Sequence, residues 1–291
     1  MITHARQHAS FAALVLVVAA LSAEKLWALA QLALADATVS HVVGVPFVVL
    51  VLIYSDRDIV FNAVRPAPVV GGGVVLTGLM LAFLDHTLFN VPSTDLTIAM
   101  AGVALAWVGG FVMSYGWSST RAALFPLAFL TFMIPMPSLV VEGATEFLKT
   151  GSTEAVAGLF TLTGTPFHRD GFVFALPSFV IEIADECSGI RSSIALVLTG
   201  LLAGHRFLQS PWTRAALVIA ILPIAVIKNA IRIAALSLLA IHVDPSFLTG
   251  QLHHEGGFVF FLLALGLVAP VFVLLRRFEA RRPQPQPVVT K

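Results

Sequence analysis

The stretch from Trp212 to His242, WTRAALVIAILPIAVIKNAIRIAALSLLAIH, decides the class of this protein. It is apolar along nearly its whole length and exceeds the roughly 20 residues that an α-helix needs to cross a hydrocarbon core of about 30 Å. Lys228 and Arg232 interrupt it, four residues apart and therefore on one helical face, with Lys228 one turn deeper. A cation at the middle of a span costs about 2.5–3.5 kcal/mol on insertion scales. Arg232 therefore has either a functional role or a structural remedy, such as snorkelling toward headgroups or an ion pair with Glu182 or Glu186. Asn229, three residues before Arg232, reads as a hydrogen-bonding support.

The rest of the chain agrees with a membrane setting. Of 291 residues, 58% are hydrophobic and 11% charged, with a mean hydropathy of +0.93, whereas soluble domains carry roughly 25% charged residues. Further apolar segments over 9–35, 39–54, 67–84, 96–113, 121–140, 187–208 and 256–275 bring the expected total to about eight. The first is too long, and lacks the cleavage site, for a removable signal peptide, so it reads as a retained span. The expected fold is all-α and polytopic. Residues 1–280 form a single integral membrane domain, and 281–291, rich in Pro and Gln, a disordered tail. A net charge of +1 gives no footprint for nucleic acid.

Basic residues in short loops set the orientation. Arg6, then Arg57 and Arg65, Arg121, His205, Arg206 and Arg214, and Arg276, Arg277, Arg281 and Arg282 all fall on one side of an eight-span protein. That side is expected to be cytoplasmic, as is the C-terminus, in a multi-pass protein of the cell (inner) membrane. The loops 85–95 and 141–186 are then outside, on the periplasmic face. In the second, 141–160 reads as an amphipathic helix, with Phe147, Leu148, Val156, Leu159 and Phe160 apolar between Glu142, Glu146, Lys149 and Glu154. Residues 171–176 and 179–184 read as two short strands around Pro177-Ser178, an external β-hairpin leading to Cys187.

Cys187 is the only cysteine, set between Glu186 and Ser188 where a polar segment meets an apolar helix. It has no disulfide partner within the chain, and its polar neighbours are unlike those of a buried structural thiol. A helix starting at Ser188 or Gly189 would offer dipole and N–H groups to a thiolate or an oxyanion, with Arg232 or an imidazolium of His253 as the cation. The plain alternative is a small apolar residue at a helix cap. His253 stands at the outer end of the last span, where an imidazole suits proton transfer to and from a thiol or a leaving amine. His254 is its neighbour, but successive helical residues point about 100° apart, so His253-His254-Glu255 is a poor ligand set and no metal or cofactor is expected. Neither a Gly-x-Ser-x-Gly elbow nor a His-Glu-x-x-His run is present.

Three motifs together resemble the exosortase/archaeosortase family. They are Arg169-Asp170-Gly171 and Leu176-Pro177 leading into Ile183-Ala184-Asp185-Glu186-Cys187-Ser188-Gly189-Ile190-Arg191-Ser192, then Asn229-Ala230-Ile231-Arg232, then His253 four residues before Gly257-Phe258. The resemblance implies a membrane cysteine transpeptidase whose protein substrates bear a C-terminal sorting signal made of a short motif, a transmembrane helix and a basic end. It implies Cys187 as nucleophile, with Arg232 and His253 as the other catalytic residues, and acyl transfer through a thioester to an amine acceptor or water. Glu186, Ser188, Gly189, Asn229 and His254 are candidates for support, and Lys228→Met is expected to retain activity. Asp185-Glu186 departs from the Glu-Ala pair of many members, and the added carboxylate makes a compensating cation more necessary. The rival class is a multi-span transporter or a polysaccharide-export component using Arg232 and Lys228 as binding charges. No repeat between the two halves supports it.

Overall fold

The structure, a computed structural model, describes residues 4–36, 38–83, 92–248 and 257–281. Most of the expected outer loop 85–95 falls outside the described residues. So do His253, His254 and the tail beyond Arg281. The chain divides into two compact units, Met1–Val141 and Glu142–Lys291.

The first unit contains α1 (Ala5–Leu21), α2 (Ala23–Ala35), α3 (Val45–Ser55), α4 (Arg57–Val60), α5 (Pro68–Ala82), α6 (Pro92–Ala122) and α7 (Leu124–Phe129). Proline opens both α3 and α5, at positions where its missing N–H would have had no helical partner. The tightest packing is between α5 and α6. A Cβ built on Gly78 would stand 2.5 Å from the backbone nitrogen of Ala106, and one on Gly102 2.4 Å from that of Ala82. Gly71 and Gly109, each seven residues away on the same faces, are equally close to the backbones of Met113 and Val75. Small residues bring two helices into main-chain contact where lipid gives no hydrophobic drive to associate. At Gly116 the helix is interrupted by a φ of 78°, and a Cβ there would lie 1.6 Å from the carbonyl oxygen of Arg65. The Arg65 N–H in turn donates to the Tyr115 carbonyl at 3.1 Å, so the 57–67 connection is stitched across the bend. Around it His8, Phe11, Phe61, Phe111 and Tyr115 form an aromatic cluster, with His8 Nδ1 2.8 Å from the Tyr115 hydroxyl. An open cavity of about 540 Å³ borders this cluster and contains none of the candidate site residues.

The second unit holds most of α8 (Ser138–Leu162), three strands, β1 (His168–Asp170), β2 (Val173–Ala175) and β3 (Val180–Glu182), and then α9 (Ile190–Phe207), α10 (Pro211–His242) and α11 (Gly257–Arg281). The segment expected to be a hairpin contains β2 and β3, antiparallel with Val173 opposite Glu182. A third strand, β1, pairs with β2 across the left-handed Gly171, with Arg169 opposite Phe174. Val156 and Phe160 of α8, Phe174, Leu176 and Ile183 of the sheet region, and Ala230 and Ala234 of α10 form one core. The amphipathic helix is thus longer than expected and turns its apolar face to protein, while Phe147 is exposed. Arg169 and Glu154 join β1 to α8 at 2.7 Å.

The helices α9, α10 and α11 pack around Leu196, Ile221, Ile224 and Ala264. At one end the Glu279 carboxylate of α11 accepts bonds from the backbone N–H groups of Gln209 and Ser210 and from the Thr213 hydroxyl. It thereby caps the start of α10.

Among the described residues three helices are long and apolar enough to cross a membrane, Leu96–Ala122, Pro211–His242 and Gly257–Arg281, or up to five if two bent pairs each count as one span. The expected segments differ in their breaks and ends. Segment 9–35 divides at Ser22 with a bend of 76°, and segment 121–140 is broken at Pro135 and Pro137, which cannot continue a helix. Segment 96–113 runs on to Ala122, while α3 and α5 have only 11 and 15 residues.

Gly78→Ala should lower the melting temperature of the detergent-purified protein by several degrees, corresponding to about 1–3 kcal/mol of overpacking. Gly73→Ala, where a Cβ meets nothing within 4 Å, should leave it within a degree or raise it.

Candidate active site

After β3 the chain buries Ile183 in the sheet core, extends through Ala184 and enters a 3₁₀ turn, Asp185–Ser188. The Cys187 N–H closes that turn on the Ala184 carbonyl at 2.9 Å. Gly189 follows at φ 76° and ψ 17°, and α9 begins at Ile190. The helix therefore does not start at Ser188 or Gly189, as the sequence suggested. A left-handed residue separates the 3₁₀ turn from α9 and delays the helix by one or two positions, leaving the half-buried Cys187 on the turn. Ser188 is buried, and its hydroxyl accepts a long bond from the Ile190 N–H at 3.4 Å.

Gly189 is required twice over. Any other residue at this φ incurs about 1–2 kcal/mol, and a Cβ would lie 2.7 Å from Asn229 Oδ1 and 3.2 Å from Lys228 Nζ. The close approach lets Asn229, fully buried on α10, reach the backbone of the turn. Its Nδ2 donates to the Cys187 carbonyl at 2.8 Å and to Ser152 Oγ of α8 at 3.1 Å. One carboxamide thus joins α8, α10 and the thiol-bearing turn.

Three side chains around the turn were not singled out from sequence. Lys149 of α8 donates to Asp185 Oδ1 at 2.9 Å and lies 4.3 Å from the centre of the Phe172 ring. Lys149 thus faces one of the two carboxylates before the thiol, although Asp185 is 71% exposed and such a pair contributes modestly. Ser192 and Ser193 both donate to the Gly189 carbonyl at 2.9 Å, and Lys228 Nζ donates to Ser192 Oγ at 2.5 Å. The signal available in the sequence was polarity in the wrong place: Ser152 and Thr153 on the buried face of α8, and Ser192-Ser193 opening an apolar helix.

The structure therefore brings Cys187 together with Ser188, Gly189 and Asn229. Arg232 lies on the same face of α10, half-buried, one turn beyond Lys228 and Asn229. Glu186 belongs to the 3₁₀ turn. His253 and His254, outside the described residues, are not brought into this arrangement by anything in the structure.

A mostly helical membrane protein that holds its single thiol between a small sheet and a polar helix pair is a narrow class. A family model described as transmembrane exosortase matches residues 33–270, and the chain belongs to that family. The match reaches far N-terminal to the motifs around Cys187 and runs through both compact units. Exosortases are membrane transpeptidases for protein sorting signals. No curated protein and no solved structure matches the chain.

Gly189→Ala and Gly171→Ala both force a side chain into left-handed backbone, but a Cβ on Gly171 meets nothing within 4 Å. Both should lower the melting temperature. Only Gly189→Ala should also change the rate at which iodoacetamide alkylates Cys187, by at least threefold, because only it displaces Asn229 from the turn.

Proposed function

We propose that this exosortase cleaves membrane-anchored proteins at a C-terminal sorting signal through a thioester on Cys187. The observation that carries the reading is the anchoring of the Cys187 main chain by Asn229 at a turn that tolerates only glycine behind it. A nucleophile needs its approach fixed to within a fraction of an ångström. A thiol that merely filled space would need neither.

In this mechanism the substrate's transmembrane helix and basic end hold its scissile bond beside the turn, so that binding supplies proximity. The Cys187 sulfur attacks the carbonyl carbon and negative charge gathers on the carbonyl oxygen. Arg232, with the N–H groups of Ser188 and Gly189 as further donors, stabilises that oxyanion. His253 accepts the thiol proton and passes it to the departing amine as the C–N bond breaks, leaving the acyl group on sulfur. An incoming amine, or water, then attacks the thioester and gives up its proton to His253, and the sulfur leaves as a thiolate that takes the proton back from His253. No cofactor enters.

The distribution of arginine supports an active site on the outer, periplasmic face and a cytoplasmic C-terminus. The eight spans of this orientation require α3, α5 and α9, of 11, 15 and 18 residues, to cross alongside the three long helices and the two bent pairs. A family match spanning both units supports reading residues 1–280 as one functional membrane domain.

Cys187→Ala should abolish processing of a tagged substrate carrying a sorting signal, and Arg232→Lys should reduce it at least a hundredfold, because an ammonium lacks the planar fork. His253→Ala should lose about two to four orders of magnitude while His254→Ala stays within about tenfold. Equal losses in the two histidine variants, together with inhibition of the wild type by chelators, would replace the thiol mechanism with a metal-dependent one. Membrane-impermeant maleimide should label Cys187 from the outside of intact cells. Labelling from the cytoplasmic side alone would reverse the orientation.

A further inference from the structure

Among the described residues the reaction above leaves one buried cation, Lys228, unused. Lys228 is 2% exposed, midway along α10 and one helical turn before Arg232. Snorkelling does not explain it, because Nζ is turned into the protein, where it donates to Ser192 Oγ. The Ser192 hydroxyl donates onward to the Gly189 carbonyl at 2.9 Å. Nζ also lies 3.2 Å from where a Cβ on Gly189 would stand, two residues from the thiol. A methionine would fill the same volume without the desolvation cost of an ammonium, which is several kcal/mol even after relaxation. Stability alone gives no reason to keep a lysine here.

Resting on the reading of Cys187 as the nucleophile, we propose that Lys228 is a positioning residue for that thiol. Through Ser192 it fixes the Gly189 peptide, as Asn229 fixes the Cys187 carbonyl, so two consecutive residues of α10 hold two points of one turn. It also maintains positive charge in a poorly solvated layer close to the sulfur, where negative charge resides before attack and again when the thioester is resolved. The other charged residues around this turn are Glu186 within it, Glu182 at the end of β3, Arg232 one helical turn away, Arg191 at the start of α9, and the Lys149–Asp185 pair on the side of α8. Ser192 makes the coupling specific, since it alone connects the Lys228 ammonium to the turn by hydrogen bonds among the described residues.

The single cysteine makes the test direct, because alkylation of the full-length protein by iodoacetamide reports on Cys187 and nothing else. At one fixed pH in detergent, Lys228→Met should melt at the wild-type temperature or above, yet be alkylated at least tenfold more slowly. With substrate it should lose kcat by at least tenfold while KM stays within threefold. Lys228→Gln, which keeps a donor for Ser192 but no charge, should recover less than half of the lost alkylation rate. Ser192→Ala, which keeps the charge and breaks the relay, should be alkylated three- to tenfold more slowly. Alkylation within twofold of wild type in Lys228→Met and Ser192→Ala overturns the proposal. If Lys228→Met does not fold, a wild-type rate in Ser192→Ala together with one in Lys228→Gln does so. These rates need no substrate, so the result stands apart from the failure of the thioester mechanism, which would show as processing by Cys187→Ala.

Discussion

Everything around the thiol depends on a glycine being narrow enough for a buried carboxamide to pass. The Asn229 side chain sits where a Cβ on Gly189 would otherwise be, and from there uses both hydrogens of Nδ2, one on the Cys187 carbonyl and one on Ser152. Its Oδ1 is buried and has no hydrogen-bond partner among the described residues. A carboxamide so placed is expensive to bury. The donors explain why it is kept, since reversing the amide would set an oxygen against the carbonyl of Cys187.

The same economy of side chain operates in the first unit, with the opposite chemistry. Between α5 and α6 the glycines bring backbone against backbone with no polar group involved, and the result is a rigid pair. At Gly189 the absent side chain admits a polar network instead. Bilayer proteins gain little from moving an apolar surface out of lipid, so both solutions replace hydrophobic burial by close fit and internal hydrogen bonds.

Much of this was legible in the chain. The three long helices declared themselves by length and apolarity, and Cys187, Asn229 and Arg232 stood out as candidates by being polar or reactive in an apolar setting. What was not legible was three-dimensional. Proline marks the break after residue 133, but the bend at Ser22 has no comparable residue to announce it. The strand β1 is three residues long and too short for its alternation to register. The bond from Lys228 to Ser192 could not be read, because the two residues lie 36 positions apart. Helical spacing reveals what shares a face, but not what that face meets. Likewise a sequence cannot distinguish a helix that begins at Ser188 from one delayed to Ile190 by a left-handed glycine.

The contact of Glu279 with the start of α10 acts as the zero mark of a ruler. From Thr213 to Arg232 along α10, and from Glu279 back to Gly257 along α11, the chain covers similar numbers of helical residues, each about 30 Å at 1.5 Å per residue. Two antiparallel rods pinned at one end must come level at the other. The carboxylate near the end of the last helix therefore sets the height at which that helix begins relative to α10. A contact at one end of the helix pair thus gauges how the two helices meet at the other.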